Sequence, residues 1–170
     1  MDKSRAFKKG SDFETALFLT LSRSLRGSLV MHNVHIPFDP NPAQIDILVV
    51  RGWSFHVLEL KNYEHSLTGG IADKKWIAKS DTRSYSVQNP IIQNNTQSFK
   101  LVQKLRNMGF APPKEIKGFV IVPETCRLEV DSHLRQAIIT VEEFIRIALK
   151  SKPGEGDIQR LREVLLTWKR

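Results

Sequence analysis

Between Gln44 and Lys61 runs the stretch Gln-Ile-Asp-Ile-Leu-Val-Val-Arg-Gly-Trp-Ser-Phe-His-Val-Leu-Glu-Leu-Lys, rich in β-branched and aromatic residues and interrupted once, at Gly52-Trp53. Such residues favour strands, and a two-residue interruption with glycine first reads as the loop of a β-hairpin. Setting Arg51 opposite Ser54 fixes the register: Leu48 falls opposite Val57 and Asp46 opposite Glu59. Side chains alternate along a strand, so one face carries Gln44, Asp46, Leu48 and Val50 with Phe55, Val57, Glu59 and Lys61. The other face carries Ile45, Ile47, Val49, Leu58 and Leu60. Both faces are apolar over most of their length, which demands cover on each side and places the hairpin at the centre of a sheet. A slip of one residue would send the two acids to opposite faces.

Directly opposed strand residues have Cβ atoms about 4.5–5.5 Å apart, and two carboxylates so placed destabilise a sheet unless something neutralises them. A hard divalent cation, which favours carboxylate and carbonyl oxygens, is the natural counter-charge for Asp46 and Glu59. Lys61, two residues beyond Glu59 on the same face, is placed to orient or deprotonate a water, or to stabilise charge on a phosphate. The three residues together point to attack on phosphodiesters. The bland alternative is a Glu59–Lys61 ion pair with Asp46 merely ending a strand, the commoner origin of isolated D…E-x-K matches. Position argues against it, because the charges cluster at the polar end of an otherwise apolar central hairpin and buried charges need partners.

Upstream, Ser11 and Glu14 form an S-x-x-E capping pattern, and Phe13, Leu17, Leu21 and Leu25 predict an amphipathic helix that stops at Gly27. Ser28 to Ile36 reads as a strand, with Pro37, Pro40 and Pro42 in the loop before the hairpin. Ser66 to Lys79, broken at Gly69-Gly70, reads as a short hairpin turning at Asp73 and Lys74. Asn89-Pro90 start a second helix with a stripe of Ile92, Phe99, Val102 and Leu105 and a stop at Gly109. Lys117 to Val122 and Ala137 to Ile139 are further strands. Thr140 with Glu143 caps a helix through Lys150, and Asp157 caps a last one carrying Ile158, Leu161, Leu165 and Trp168. This order predicts an α/β fold with a central mixed sheet flanked by helices. With 170 residues the chain fits one domain, its C-terminal helices (141–170) either packing on the core or making a homodimer.

A net charge of +8 makes a polyanion a natural partner, with Lys74, Lys75, Lys79 and Arg83 either meeting phosphates or solvating a loop. The chain is 41% apolar and 26% charged, the balance of a soluble globular protein. No run approaches the roughly 20 apolar residues of a membrane span, and the basic stretch Met1 to Gly10 leads into no apolar run, so a cytoplasmic protein without membrane contact is expected. The single Cys126 excludes an internal disulfide and a cysteine-built zinc site. His32, His35, His56, His65 and His133 lack metal-type spacing and read as structural or exposed. Tyr63, Trp76 and Tyr85 are of the type that stacks on bases, but read first as packing residues.

Glu14 in the first helix, Gln44-Ile45-Asp46 before an apolar strand, Glu59-Leu60-Lys61-Asn62-Tyr63, the later Trp76, and Asn89-Pro90 followed by Gln93 together resemble the nuclease-related domain family, NERD, of the PD-(D/E)XK nuclease superfamily. The resemblance runs from Gly10 to about Pro123 and implies a restriction-endonuclease-like fold. It also implies a nuclease using Mg2+ or Mn2+, on DNA ahead of RNA. By the same resemblance Asp46, Glu59 and the Leu60 carbonyl would hold the metal and Lys61 would be the catalytic lysine. Glu14 and Gln93 would be the first-helix acid and the second-helix glutamine near the centre. Two features depart from the pattern: Phe13 precedes Glu14 where the family has glycine, and Glu64-His65-Ser66 follows Tyr63 without an early glycine. Glu14 therefore keeps two readings, capping-box partner of Ser11 or catalytic acid. Family members are often joined to helicase-type domains, which implies action either alone or through a separately encoded partner of that kind. The alternative to a nuclease is a nucleic-acid-binding or partner-interaction module that keeps the fold without cutting.

Overall fold

The central turn forms because both of its residues adopt a left-handed backbone. In the computed structural model, which describes residues 3–154 and 156–168, Gly52 has φ 56° and Trp53 φ 64°. Positive φ at both positions is the type I′ geometry, whose twist matches that of the flanking strands. Trp53 is held in this conformation by its ring, which packs into the core, and by its indole N–H, which donates to the carbonyls of Pro112 and Ala111 at 3.1 and 3.3 Å. The flanking strands β2 (Ala43–Arg51) and β3 (Ser54–Leu60) pair from Arg51 opposite Ser54 to Ile47 opposite Leu58, the expected register.

Further strands complete a mixed sheet around that hairpin. β1 (Leu29–Ile36) lies antiparallel to β2, β7 (Glu115–Ile121) parallel to β3, and β9 (Ile138–Ile139) parallel to β7. The order is β1-β2-β3-β7-β9. One face is covered by α1 (Lys3–Ser24) and α3 (Val141–Ala148), which set Leu17, Leu21, Leu25 and Phe144 against Ile47, Val49, Leu58 and Leu60. On the other, α2 (Pro90–Asn107) and α4 (Ile158–Thr167) set Leu101, Leu105, Leu161 and Leu165 against Leu48, Val50, Phe55 and Val57. Each fully buried leucine contributes roughly 1.5–3 kcal/mol, so removing either helical layer would expose a large part of the core. The apolar stripes of α3 and α4 are spent on the sheet. The result is an α/β arrangement of the restriction-endonuclease-like kind.

A second sheet, ordered β6-β5-β4-β8, is built from β4 (Ser66–Gly69), β5 (Lys75–Lys79), β6 (Ser84–Gln88) and β8 (Arg127–Val130). It contains the expected β4–β5 hairpin and packs through the fully buried Trp76. Gly69 is required there, since a Cβ at this position would stand 2.2 Å from the Trp76 ring. Among the described residues no helix is long and apolar enough to cross a membrane.

Several expectations are corrected. α1 begins at Lys3 and runs through Ser11, so Ser11 is not a cap and Glu14 lies in mid-helix; residues three apart share a helix face wherever they fall, and the S-x-x-E spacing alone does not mark a start. On α2, Ile92 and Phe99 are exposed, and the buried face is Asn94, Gln97, Leu101 and Leu105. Two amides with buried partners displaced the apolar side chains that a hydrophobic count selects. Asp157 occupies the N-cap position of α4 without a capping hydrogen bond and reaches Arg160 instead, at 3.8 Å. β6 (Ser-Tyr-Ser-Val-Gln) and β8 (Arg-Leu-Glu-Val) do alternate polar and apolar residues, but over only five and four residues, and neither is among the strands expected from the sequence. Ile45 sides with Leu48 and Val50, not with Ile47 and Val49.

That last difference has a backbone cause. Asn33 has φ 51°, and the β1–β2 ladder skips the Asn33–Asp46 level. Before it Leu29 and Met31 face α2; after it Val34 and Ile36 do, so the alternation of β1 changes phase, and Ile45 on β2 changes with it. Asp46 stands at the phase change, where regular pairing is interrupted on both sides of its strand.

Candidate active site

Beyond Ile47–Leu58 the Asp46 carboxylate takes over from the ladder: its Oδ2 accepts the Leu60 N–H at 2.8 Å. The N–H and C=O of a strand residue point the same way, so the Leu60 carbonyl is turned toward Asp46 as well. Glu59 projects toward α2 with its side chain 2% exposed. Its Oε1 accepts from Lys61 Nζ at 2.6 Å and its Oε2 from Gln97 Nε2 at 2.8 Å. Lys61 Nζ also donates to Gln93 Oε1 at 3.4 Å, and Gln97 Nε2 to the Gln44 carbonyl at 2.8 Å. Asp46, Glu59, Lys61 and Gln93 thus share one end of the sheet, and Glu14 lies within electrostatic reach of Glu59 and Lys61.

The charges of this cluster do not cancel. Burial, and next the charge of Glu59, push the Asp46 carboxyl up to about 7, against the Leu60 hydrogen bond and Lys61, which pull it down. Glu14 is also raised, first by burial and then by Glu59, with Lys61 opposing. Among the described residues three carboxyls therefore face one lysine. Burial without a full set of counter-charges disfavours the ionised form.

Whether the residues fit a divalent ion follows from the donors present. Among the described residues no three His, Cys, Asp or Glu side chains converge to hold a metal by themselves. Two carboxylates and the Leu60 carbonyl are oxygen donors on adjacent strands, and waters ordinarily complete the shell of a hard cation with so few protein ligands. The donor chemistry and the surplus negative charge fit magnesium or manganese. Lys61 now holds one Glu59 oxygen that such an ion would compete for.

Gln97 was missed in the sequence. It lies four residues after Gln93, one helical turn along the same flank, and that spacing is the one signal the sequence offers for it. Asn94 is a clamp of a different sort: its Nδ2 donates to the carbonyls of Val57 and Phe119 at 2.9 and 3.4 Å, and Gly118 leaves the room, since a Cβ there would meet Asn94 Oδ1. Lys74, Lys75, Lys79 and Arg83 are exposed; Lys75 and Lys79 lie on the outer face of β5, while Lys74 and Arg83 sit in its flanking turns. Tyr63 is buried in the second sheet's core and Tyr85 is exposed, their rings 6.3 Å apart.

No curated protein and no solved structure matches the chain. The family model described as nuclease-related domain matches residues 9–123, well over half of the chain and the segment from within α1 through β7 that carries the acids, the lysine and the glutamines of α2. The chain belongs to the NERD family, the nuclease-related domain, whose wider context is the PD-(D/E)XK superfamily.

Proposed function

We propose that this domain is a metal-dependent nuclease that hydrolyses phosphodiester bonds in nucleic acid, DNA ahead of RNA, with Mg2+ or Mn2+. The observation that carries the reading is the surplus of carboxyls, Glu59 buried and Asp46 and Glu14 half-buried, over the lysine at the open end of the central hairpin, within a nuclease-related family. Asp46, Glu59 and the Leu60 carbonyl would hold the cation, which when bound supplies Lewis acidity and charge neutralisation at the phosphate. Lys61 would release Glu59 and offer its ammonium to the charge that develops on phosphorus-bound oxygen, with Gln93 holding it in reach. Gln97 would act as a positioning residue that fixes the rotamer of Glu59, and Glu14 would help hold a proton or a water at the same centre. Lys74, Lys75, Lys79 and Arg83 would meet backbone phosphates, a contribution that fades as salt rises.

The test is a cleavage assay on linear, circular and single-stranded DNA and on RNA, with magnesium or manganese and with EDTA, for wild type and Lys61→Ala. Cutting by the wild type alone, lost in EDTA, is the expected result and identifies the substrate. Salt-sensitive binding with no turnover on any substrate would replace the nuclease with the non-cleaving binding module.

A further inference from the structure

β9 is two residues long beside a seven-residue β7. Its ladder meets β7 only at Val120 and Ile121, so among the described residues the β7 edge from Glu115 to Phe119 has no strand beside it. A cleft of about 620 Å³ follows that edge and is closed on its far side by the end of α3 at Ile147 and Lys150. His56 lies in its wall, 1% exposed, between the rings of Phe119 and Phe144 at 6.1 and 5.5 Å. Among the described residues neither ring nitrogen of His56 has a hydrogen-bond partner. Buried polar groups are ordinarily satisfied, and an occupant of the cleft is one source of the missing partner.

An unpaired strand edge presents N–H and C=O groups in the spacing that an added strand needs. The charges at the rim select what is added. Lys117 and Lys150 bring two ammonium groups against one carboxylate, Glu115, which pairs with Lys117 at 2.5 Å, on a chain of net charge +8. We propose that this cleft docks an extended, acidic segment of a partner protein, which adds to β7 in line with β9. It would bring a polar group to a ring nitrogen of His56, an apolar side chain against Phe119 and a carboxylate beside Lys150. Glu59 lies three residues further along β3, about 10 Å away, and projects to the opposite face of the sheet. The docking site therefore stands or falls apart from the nuclease reading.

Fluorescein-labelled heptapeptides test it: valine alternating with glutamate, valine alternating with lysine, and the glutamate peptide interrupted by proline. Anisotropy reports affinity, and amide hydrogen exchange reports place. The glutamate peptide is expected to bind about tenfold or more tightly than the lysine peptide, with the gap closed in the Lys117→Glu, Lys150→Glu double variant. Exchange should slow at Ile116 to Gly118 and stay unchanged on β6, the edge of the second sheet. No protection at Ile116 to Gly118, or equal binding of the proline-interrupted peptide, would overturn the proposal. Peptide-free protection of this edge that grows with protein concentration, with a dimer in sedimentation, would make a second copy the occupant and overturn the assignment to a partner.

Discussion

The two ends of the β2–β3 hairpin are made from the same pair of strands and settle their charges in opposite ways. At the turn, Arg51 is 8% exposed and its guanidinium donates to three neutral oxygens: the Ser151 and Arg26 carbonyls at 2.7 and 2.9 Å and Ser28 Oγ at 3.1 Å. One cation thereby ties the exits of α1 and α3 to the turn. His56 nearby is kept neutral, its pKa lowered by burial to about 4. At the open end Glu14, Asp46 and Glu59 share, among the described residues, the one lysine Lys61, and burial raises the pKa of Asp46. The turn end spends its polar groups on holding the chain together. The open end keeps a charge surplus that costs stability, and such local deficits mark sites where chemistry is done.

The comparison breaks most visibly if a residue at one end is shown to belong to the other. Lys61→Ala is expected to lower cleavage by on the order of 10²–10³-fold while leaving thermal unfolding within a few degrees of wild type. A loss of folding on the same scale would make Lys61 a structural cation like Arg51. Gly52→Val should do the reverse. Its φ of 56° suits glycine, and a Cβ would stand 2.2 Å from the Lys152 carbonyl oxygen. A destabilisation of about 2 kcal/mol or more by urea titration is expected, with cleavage per folded molecule unchanged.

The two ends should also answer pH with opposite signs. His56 has a folded pKa of about 4 against an ordinary 6.5, so between these values the unfolded chain binds more protons. Stability is lost as pH falls through that window, by on the order of 2–3 kcal/mol, and His56→Phe should remove the loss. Asp46 has a folded pKa near 7 against 3.8, so in that window the folded chain binds more protons. In EDTA its contribution makes the protein more stable as pH falls from about 7 toward 4, by on the order of 1–3 kcal/mol, and Asp46→Asn should flatten the trend. Urea titrations of both variants across pH 4–8 separate the two contributions. The smallest expected effect belongs to Gln97→Leu: Glu59 loses one of its two partners, and cleavage should fall about tenfold with Tm nearly unchanged. Restoration by Gln97→Asn would contradict a positioning role, since the shorter amide does not reach.

What was legible in the sequence follows the same division. The central hairpin, its register, the core of the two layers and the capping box at Thr140 could be read because alternation, a two-residue turn and an S/T-x-x-E pattern before a helix are local rules. The phase change at Asn33 and Asp46 could not, because a single positive φ re-aims side chains without altering composition. The second helix failed for a related reason: Asn94 and Gln97 are buried because β3, β7 and Glu59 offer them partners across the sheet, a fact no residue count along α2 contains. The acids and the lysine were visible as a set on one strand pair. The structure adds the electrostatic coupling of Glu14 to Glu59 and Lys61, from the middle of a helix that starts earlier than its capping pattern suggested.

The proposal for the open end of the hairpin is a bound divalent cation that serves phosphodiester cleavage. Its most direct test is calorimetric binding of Mn2+ to wild type and Asp46→Asn, with DNA cleavage measured on the same samples. The account predicts that Asp46→Asn weakens binding by on the order of tenfold or more and that cleavage disappears with it. Equal Mn2+ binding by both proteins, or undiminished cleavage by Asp46→Asn, would contradict it.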